Sequence, residues 1–379
     1  MGIKISKDNP SIFFDRELSW LDFNYRVLEE AADPSNPILE RLKFLCITES
    51  NLDEFYMVRV AGLKNATASG MDGKSFNGMS FSEVIQAISQ KVSAFVKSQY
   101  DILVNSILPE LRENGINILE DPSALTAEEV DFVKKYYKEE VSSILTPLAI
   151  DTAHPFPHVL NKTLNLVITL CPVEDTSDAR KALSIVQVPS VLPRFLRLPS
   201  SKPSEHKFFP LESVIKMHLD DLFYGMIVKE VHPFKIIRDS DIDISDDAKD
   251  DLLTSVKLEL KNRIWGEAVK IDINKNASPL LQSLLKESLN VQEHEVFPVP
   301  HLLRLGDMMY FYGLENTSKL KFPYIKPRSK LNVPSLDKIF SIIRKEDKLL
   351  HHPYDSFQDV ESVLKFASGD PKVLGIKMT

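Results

Sequence analysis

Apolar residues recur at helical spacing through the opening stretch of the chain. Leu18, Leu21, Tyr25, Leu28 and Ala32 fall on one face of a helix opened by a Ser19/Asp22 capping box and closed at Asp33-Pro34. Asn36-Pro37 opens a second helix with the stripe Ile38, Leu42 and Leu45, and a third begins near Asn51 with Leu52, Phe55, Tyr56, Val60 and Leu63. The Gly-, Ser- and Asn-rich run from Asn65 reads as an exposed loop. Ser80 and Glu83 cap a long helix carrying Phe81, Val84, Ile88, Val92, Phe95, Ile102 and Leu111. Pro109 is placed to kink it and Asn114-Gly115 to end it. Amphipathic helices with short joins predict an N-terminal helical bundle over residues 1–115.

The pattern changes after Gly115. Thr126 and Glu129 cap one more helix, and the run from Thr163 then alternates, placing Leu164, Leu166, Ile168 and Leu170 on one face as in a half-buried strand. Further strands are predicted near Leu183–Val188, Phe234–Ile237, Ala268–Ile273 and Val291–Phe297, with helices near Leu211–Phe223, Ala248–Arg263 and Pro279–Leu289. This order fits an α+β middle domain over residues 116–323. A Lys-Pro-Arg-Ser-Lys linker introduces a third region, residues 324–379, with a helix near Val360–Ala367 and an apolar strand at the final Val-Leu-Gly-Ile-Lys-Met-Thr. That strand has no terminator after it, so the last domain is expected to be cut short.

Composition adds limits. The 379 residues are 43% hydrophobic and 26% charged, a globular composition with room for two or three domains. Apolar stretches are too short for a membrane helix, the start MGIKISKDNPS has no signal-peptide apolar region, and two cysteines cannot build a disulfide framework. A cytoplasmic protein is expected. The net charge of -8 disfavours a polyanion overall, yet residues 318–379 hold 12 Lys and Arg against 7 Asp and Glu. A basic segment on an acidic chain reads either as an anion site or as an ordinary solvated surface.

Single motifs carry little chemistry. Ser-Asn-Leu-Asp-Glu-Phe at Asn51 reads as a helix cap with Glu54, or as a helix N-terminus suited to a nucleotide. The acidic run from Asp239 fails as a calcium loop, because Ile244 stands where Gly is needed and Asp250 where a bidentate Glu is expected. His154 and His158 are separated by two prolines, which exclude helical metal-ligand spacing. His351 and His352 could accept a phosphoryl group, but no third group at readable spacing orients them. No phosphate-binding Gly-rich loop and no nucleophile elbow is present.

Longer strings are more specific. The runs Glu-Leu-Ser-Trp-Leu-Asp-Phe-Asn-Tyr-Arg from Glu17, Asn-Pro-Ile-Leu-Glu-Arg-Leu-Lys-Phe-Leu from Asn36 and Ser-Asn-Leu-Asp-Glu-Phe-Tyr-Met-Val-Arg-Val from Ser50 resemble the N-terminal domain of bacterial polyphosphate kinase. The likeness continues from Leu145, Pro189, His351 and Asp370, so it covers nearly the whole chain. It implies an N-terminal helical domain, an α+β middle domain and the truncated start of a phospholipase D-like α/β domain. It also implies reversible transfer of the terminal phosphate of ATP to inorganic polyphosphate, through a phosphohistidine and with Mg²⁺. Asn51 matches the family's ATP-contacting Asn. The phosphorylated His and the Mg²⁺ ligands are expected beyond this chain, which makes it an incomplete enzyme, inactive alone, with no catalytic or metal residue of its own. Family members are oligomeric, and at most peripheral attachment to the inner membrane surface is expected, with no nucleic-acid partner. An oligomerisation or regulatory module without nucleotide contact is the alternative, and a phospholipase D-like phosphodiesterase a third reading.

Overall fold

A computed structural model describes residues 10–70, 73–150, 156–173, 182–200, 205–240, 266–331 and 338–379. They fall into two compact units, Met1–Lys321 and Phe322–Thr379.

The larger unit begins with helices. Helix α1 (Arg16–Ala32) starts a turn earlier than its capping-box pattern predicts, because Asp15 is the cap and accepts the N–H groups of Glu17 and Leu18, each at 2.9 Å. Its buried face is Glu17, Leu21, Asn24, Leu28 and Ala31, rotated from the apolar stripe because Asn24 turns inward. Helix α2 (Ile38–Phe55) passes through Asn51 without a break. No helix begins there. A π turn (Tyr56–Val60) carries α2 into α3 (Ala61–Ala68), which covers the start of the expected loop. Ser80 and Glu83 do form a capping box on α4 (Phe81–Ile102). The ladder then widens into a second π turn (Leu103–Ile107), upstream of Pro109, before α5 (Leu108–Glu113).

Two sheets follow. Strand β1 (Ile116–Ile118) precedes α6 (Ala127–Tyr136), where the Thr126/Glu129 capping box forms, and α6 runs into a third π turn at Tyr137–Val141. Next come β2 (Pro147–Ile150), β3 (Leu164–Pro172), β4 (Ala182–Gln187), β5 (Phe195–Arg197) and β6 (His206–Pro210). Helices α7 (Leu211–Lys216) and α8 (Leu219–Leu222) lead to β7 (Met226–Arg238), β8 (Ala268–Asn274), α9 (Pro279–Leu289) and β9 (Val296–Val299). The small sheet has the order β1-β6-β5 and the large one β2-β4-β3-β7-β8-β9, antiparallel except for the β8/β9 pair.

Strand β3 is buried on both faces, not one, because it is hydrogen-bonded to β4 and β7 and both sides of the sheet are covered. Leu164, Leu166, Ile168 and Leu170 face a core shared with the helices, whereas Val167 joins Phe234, Ile236 and Ile271 under Leu281 and Leu285 of α9. The shared core runs from Leu21 to Phe311, so one apolar interior holds the helices against the sheet. The predicted strand at Val291 starts only at Val296, since Asn290 closes α9 in a left-handed conformation and a 3₁₀ turn intervenes. The expected helix at Ala248–Arg263, the acidic run at Ile244 and Asp250, and His154 lie outside the described residues.

In the smaller unit, α10 (Ile339–Ile343) and α11 (Gln358–Gly369) are joined through a turn at His351–Asp355. The expected last strand does not form. Residues 373–379 find no pairing strand among the described residues, and Leu374 is fully exposed.

Candidate functional site

A cleft of about 630 Å³ opens on the helical part between α1 and the run from α2 through the first π turn into α3. Arg16, Glu17 and Trp20 line it from α1, and Asn51, Phe55 and Arg59 from the opposite wall. Asn51, Phe55 and Arg59 succeed one another at i, i+4 spacing and therefore share a face. The Trp20 and Phe55 rings stack 4.4 Å apart and 6° from parallel. Glu17, buried in the first turn of α1, accepts from Arg16 Nε at 2.9 Å and from Arg59 Nη1 at 3.3 Å. The hydrogen bond to Glu17 holds the Arg16 guanidinium above its ordinary pKa, so it stays charged. One cleft thus brings together flat aromatic surface, a side-chain amide and two guanidinium groups.

Asn51 is held from behind. Its Nδ2 donates to Asn24 Oδ1 at 3.0 Å, and Asn24 Nδ2 donates to the Thr48 carbonyl at 3.0 Å. The other side of α2 is gripped by charge. Lys235 on β7 lies within 3.2 Å of Glu49, Asp53 and Asp272, and Lys270 pairs with Asp272. Glu49 also accepts the N–H of Gly306 at 2.6 Å, and a Cβ at Gly306 would stand only 3.3 Å from that carboxylate oxygen. Burial alone would push the Lys235 ammonium down, but Asp53, Glu49 and Asp272 keep it well above its usual value. Burial opposes ionisation of Glu49, which Lys235 nevertheless holds below the usual carboxylate range. Burial prevails at Asp53 and raises it. Sequence reasoning assigned no role to Arg16, Trp20, Asn24 or Arg59. Only the spacing from Asn51 through Phe55 to Arg59 could have signalled a shared wall.

The other candidates lie apart from this cleft. Asp239 accepts from Asn65 Nδ2 at 2.8 Å, and His158 is half-buried at the approach to β3. His351 and His352 sit in the turn of the smaller unit, where His351 N donates to Asp355 Oδ2 and the His352 ring bonds the Asp355 carbonyl. Basic residues of that unit border a second cleft of about 620 Å³, with Lys326, Arg328, Ser329, Ser356 and Ser362 on its walls. Among the described residues no group of three or more His, Cys, Asp and Glu could hold a metal ion. No described helix is long and apolar enough to cross a membrane.

Fold and cleft define a multidomain protein of helices and mixed sheet, with a polar, aromatic-walled site on its helical part. Three family profiles match successive stretches: polyphosphate kinase N-terminal domain at residues 13–119, middle domain at 128–311 and C-terminal domain 1 at 338–379. The polyphosphate kinase of Halalkalibacterium halodurans is 39% identical over 99% of this chain and 53% of its own length. That of Bacillus cereus is 39% identical over the whole of this chain and 54% of its own. A crystal structure of polyphosphate kinase from Porphyromonas gingivalis superposes with a TM-score of 0.74 at 27% identity, covering 95% of this chain and 50% of that one. The chain belongs to the polyphosphate kinase family. It spans about half the length of the curated relatives it matches.

Proposed function

We propose that this chain is the front portion of a polyphosphate kinase and that its helical cleft receives ATP, with Asn51 as a direct nucleotide contact. The observation that carries this is the convergence, in one cleft, of the Asn51 amide, the half-buried Trp20 ring backed by the buried Phe55, and the Arg16 and Arg59 guanidiniums that share Glu17. A nucleotide needs all three: a flat surface for its base, a donor and acceptor for its polar edge, and positive charge for its phosphates.

In this reading the complete enzyme moves the terminal phosphoryl group of ATP to a histidine, breaking the bond to ADP, and then to the end oxygen of polyphosphate. Splitting the transfer replaces one difficult encounter with two, and cations around the equatorial oxygens lower both barriers. In the same reading the phosphorylated His lies downstream of Ile376-Lys377-Met378-Thr379, and Mg²⁺ would be held there, in phospholipase D-like domains of which residues 324–379 are the start. Mg²⁺, when bound, supplies charge neutralisation on the transferring phosphate. This chain supplies the cleft. Homo-oligomerisation, a cytoplasmic location with peripheral contact at the inner membrane surface, and the division at residues 115 and 323 belong to the same proposal.

Calorimetric titration of ATP into the chain and into an Asn51→Ala variant tests the reading. We expect about tenfold weaker binding in the variant, the scale of one lost polar contact. Unchanged affinity overturns the assignment. Incubation with ATP and Mg²⁺ is expected to leave no covalent phosphate on the chain and to make no polymer.

A further inference from the structure

We infer that Asn24 is a specificity-determining residue, which fixes the orientation of the Asn51 amide so that the cleft prefers an amino-purine nucleotide to an oxo-purine one. The inference rests on the nucleotide reading above and extends it to a residue that never touches the ligand.

The orientation follows from a chain of donors and acceptors with one solution. The Thr48 carbonyl can only accept, so the Asn24 group 3.0 Å from it must be the amide nitrogen. Asn24 Oδ1 therefore faces Asn51, and an oxygen there requires a donor, which sets Asn51 Nδ2 at 3.0 Å. Asn24 is wholly buried, so water cannot relieve a wrong pairing. Thr48 is pinned in turn, its hydroxyl donating to the Leu45 carbonyl at 2.6 Å and accepting from Gln99 Nε2 at 2.8 Å. A flipped Asn51 amide would set two carbonyl oxygens against each other.

With one N–H committed to Asn24, Asn51 has its carbonyl oxygen and one remaining N–H to offer the cleft. An acceptor beside a donor complements adenine, whose exocyclic amine donates next to ring nitrogen N1, an acceptor. Hypoxanthine in the same pose reverses both: O6 accepts and N1–H donates. A freely turning amide could match either base, but the amide held by Asn24 matches only the first. Selectivity of this kind comes from polar groups left unpaired by the wrong ligand.

The test is calorimetric titration of ATP and of ITP into the full 379-residue chain, with Asn24→Leu, Asn24→Ser, Asn24→Asp and Asn51→Ala variants. The natural chain is expected to bind ATP at least about tenfold more tightly than ITP, the scale that even one of the two unmet hydrogen bonds would give. Asn24→Leu and Asn24→Ser free the amide and should bring the two affinities within about twofold, mainly by improving ITP relative to ATP. Asn24→Asp, protonated on the oxygen that faces the Thr48 carbonyl as its burial favours, still offers Asn51 an acceptor and should retain the preference. Should the Leu variant not fold by circular dichroism, the Ser variant decides. A preference unchanged in the folded Leu or Ser variant overturns the inference while leaving Asn51 as a contact. A natural chain that binds ATP and ITP equally overturns it too. Asn51→Ala with unchanged ATP affinity removes the nucleotide reading beneath it.

Discussion

Replacing Lys235 by Met removes the central cation of the cluster that joins α2 to the large sheet. Its Nζ lies 2.9 Å from Glu49 Oε1, 2.9 Å from Asp53 Oδ1 and 3.2 Å from Asp272 Oδ2, and its side chain is 1% exposed. In the natural protein Lys235 and Lys270 face these three carboxyl groups; in the variant Lys270 faces them alone. Removing one partner of a buried ion pair costs about 3–5 kcal/mol, because the remaining charge keeps its desolvation penalty. Met roughly conserves the volume, so a cavity adds little. The free energy of unfolding at pH 7.5 is therefore expected to fall by about 4 kcal/mol.

The loss carries a sign in pH. Against burial, Lys235 holds Glu49 below its ordinary pKa, and a depressed carboxyl contributes stability above its unfolded pKa that is lost as pH falls through the folded one. Without Lys235, burial raises Glu49 as it already raises Asp53. A raised carboxyl binds more protons folded than unfolded, so acid favours the folded variant. The gap between natural chain and variant should narrow between pH 7.5 and pH 5. Urea unfolding followed by far-ultraviolet circular dichroism at both pH values measures it. A loss below about 1 kcal/mol at pH 7.5, or a gap that widens on acidification, refutes the reasoning.

Leu42→Ala, at a fully buried position of the shared core, should cost about 2–5 kcal/mol in the same assay, whereas Leu374→Ala at a fully exposed one should stay within about 0.5 kcal/mol. Burial, reinforced by Glu212, pushes the Glu120 carboxyl up to about 7. Its folded pKa is thus above the unfolded value, and the natural chain loses stability as pH rises from the ordinary carboxyl range through about 7. Glu120→Gln, which does not titrate, should gain in melting temperature relative to the natural chain between pH 5 and pH 8. A gain toward acid instead would contradict that environment for Glu120. Cys46 and Cys171 are both buried, and burial further raises the Cys46 thiol. Ellman's reagent should label neither in the native chain and both in urea; rapid labelling of native protein would show that this core opens.

Local rules were legible where the deciding partners lie within one turn and a helix does begin, though not at Ser19/Asp22, since Asp15 caps α1 a turn earlier. The capping boxes at Ser80/Glu83 and Thr126/Glu129 formed where the sequence places them, because both partners are three residues apart. The similar pattern at Asn51 and Glu54 misleads, since the same spacing also occurs inside a continuing helix, and α2 continues. Burial of β3 on both faces depends on α9, a hundred residues away, so alternation alone suggested one buried face. Asn24 was invisible for a related reason: a polar residue beside the apolar stripe turns inward only because the Thr48 carbonyl stands opposite it. The position of Asn51 within a candidate site came from resemblance to a family, and its companions Arg16, Trp20 and Arg59 from the meeting of two helices.

The π turn at Tyr56–Val60 inserts one residue more than an α-helical ladder would use, and it does so in the wall that carries Arg59. Deleting any single residue there would let the ladder close regularly, while winding everything downstream back by about 100°. Gly62 and Leu63 would swing away from the cleft together with the whole of α3. Chain length in this short stretch thus matters as much as residue identity: a substitution alters one side chain, whereas a missing codon would dismantle one side of the cavity at a stroke.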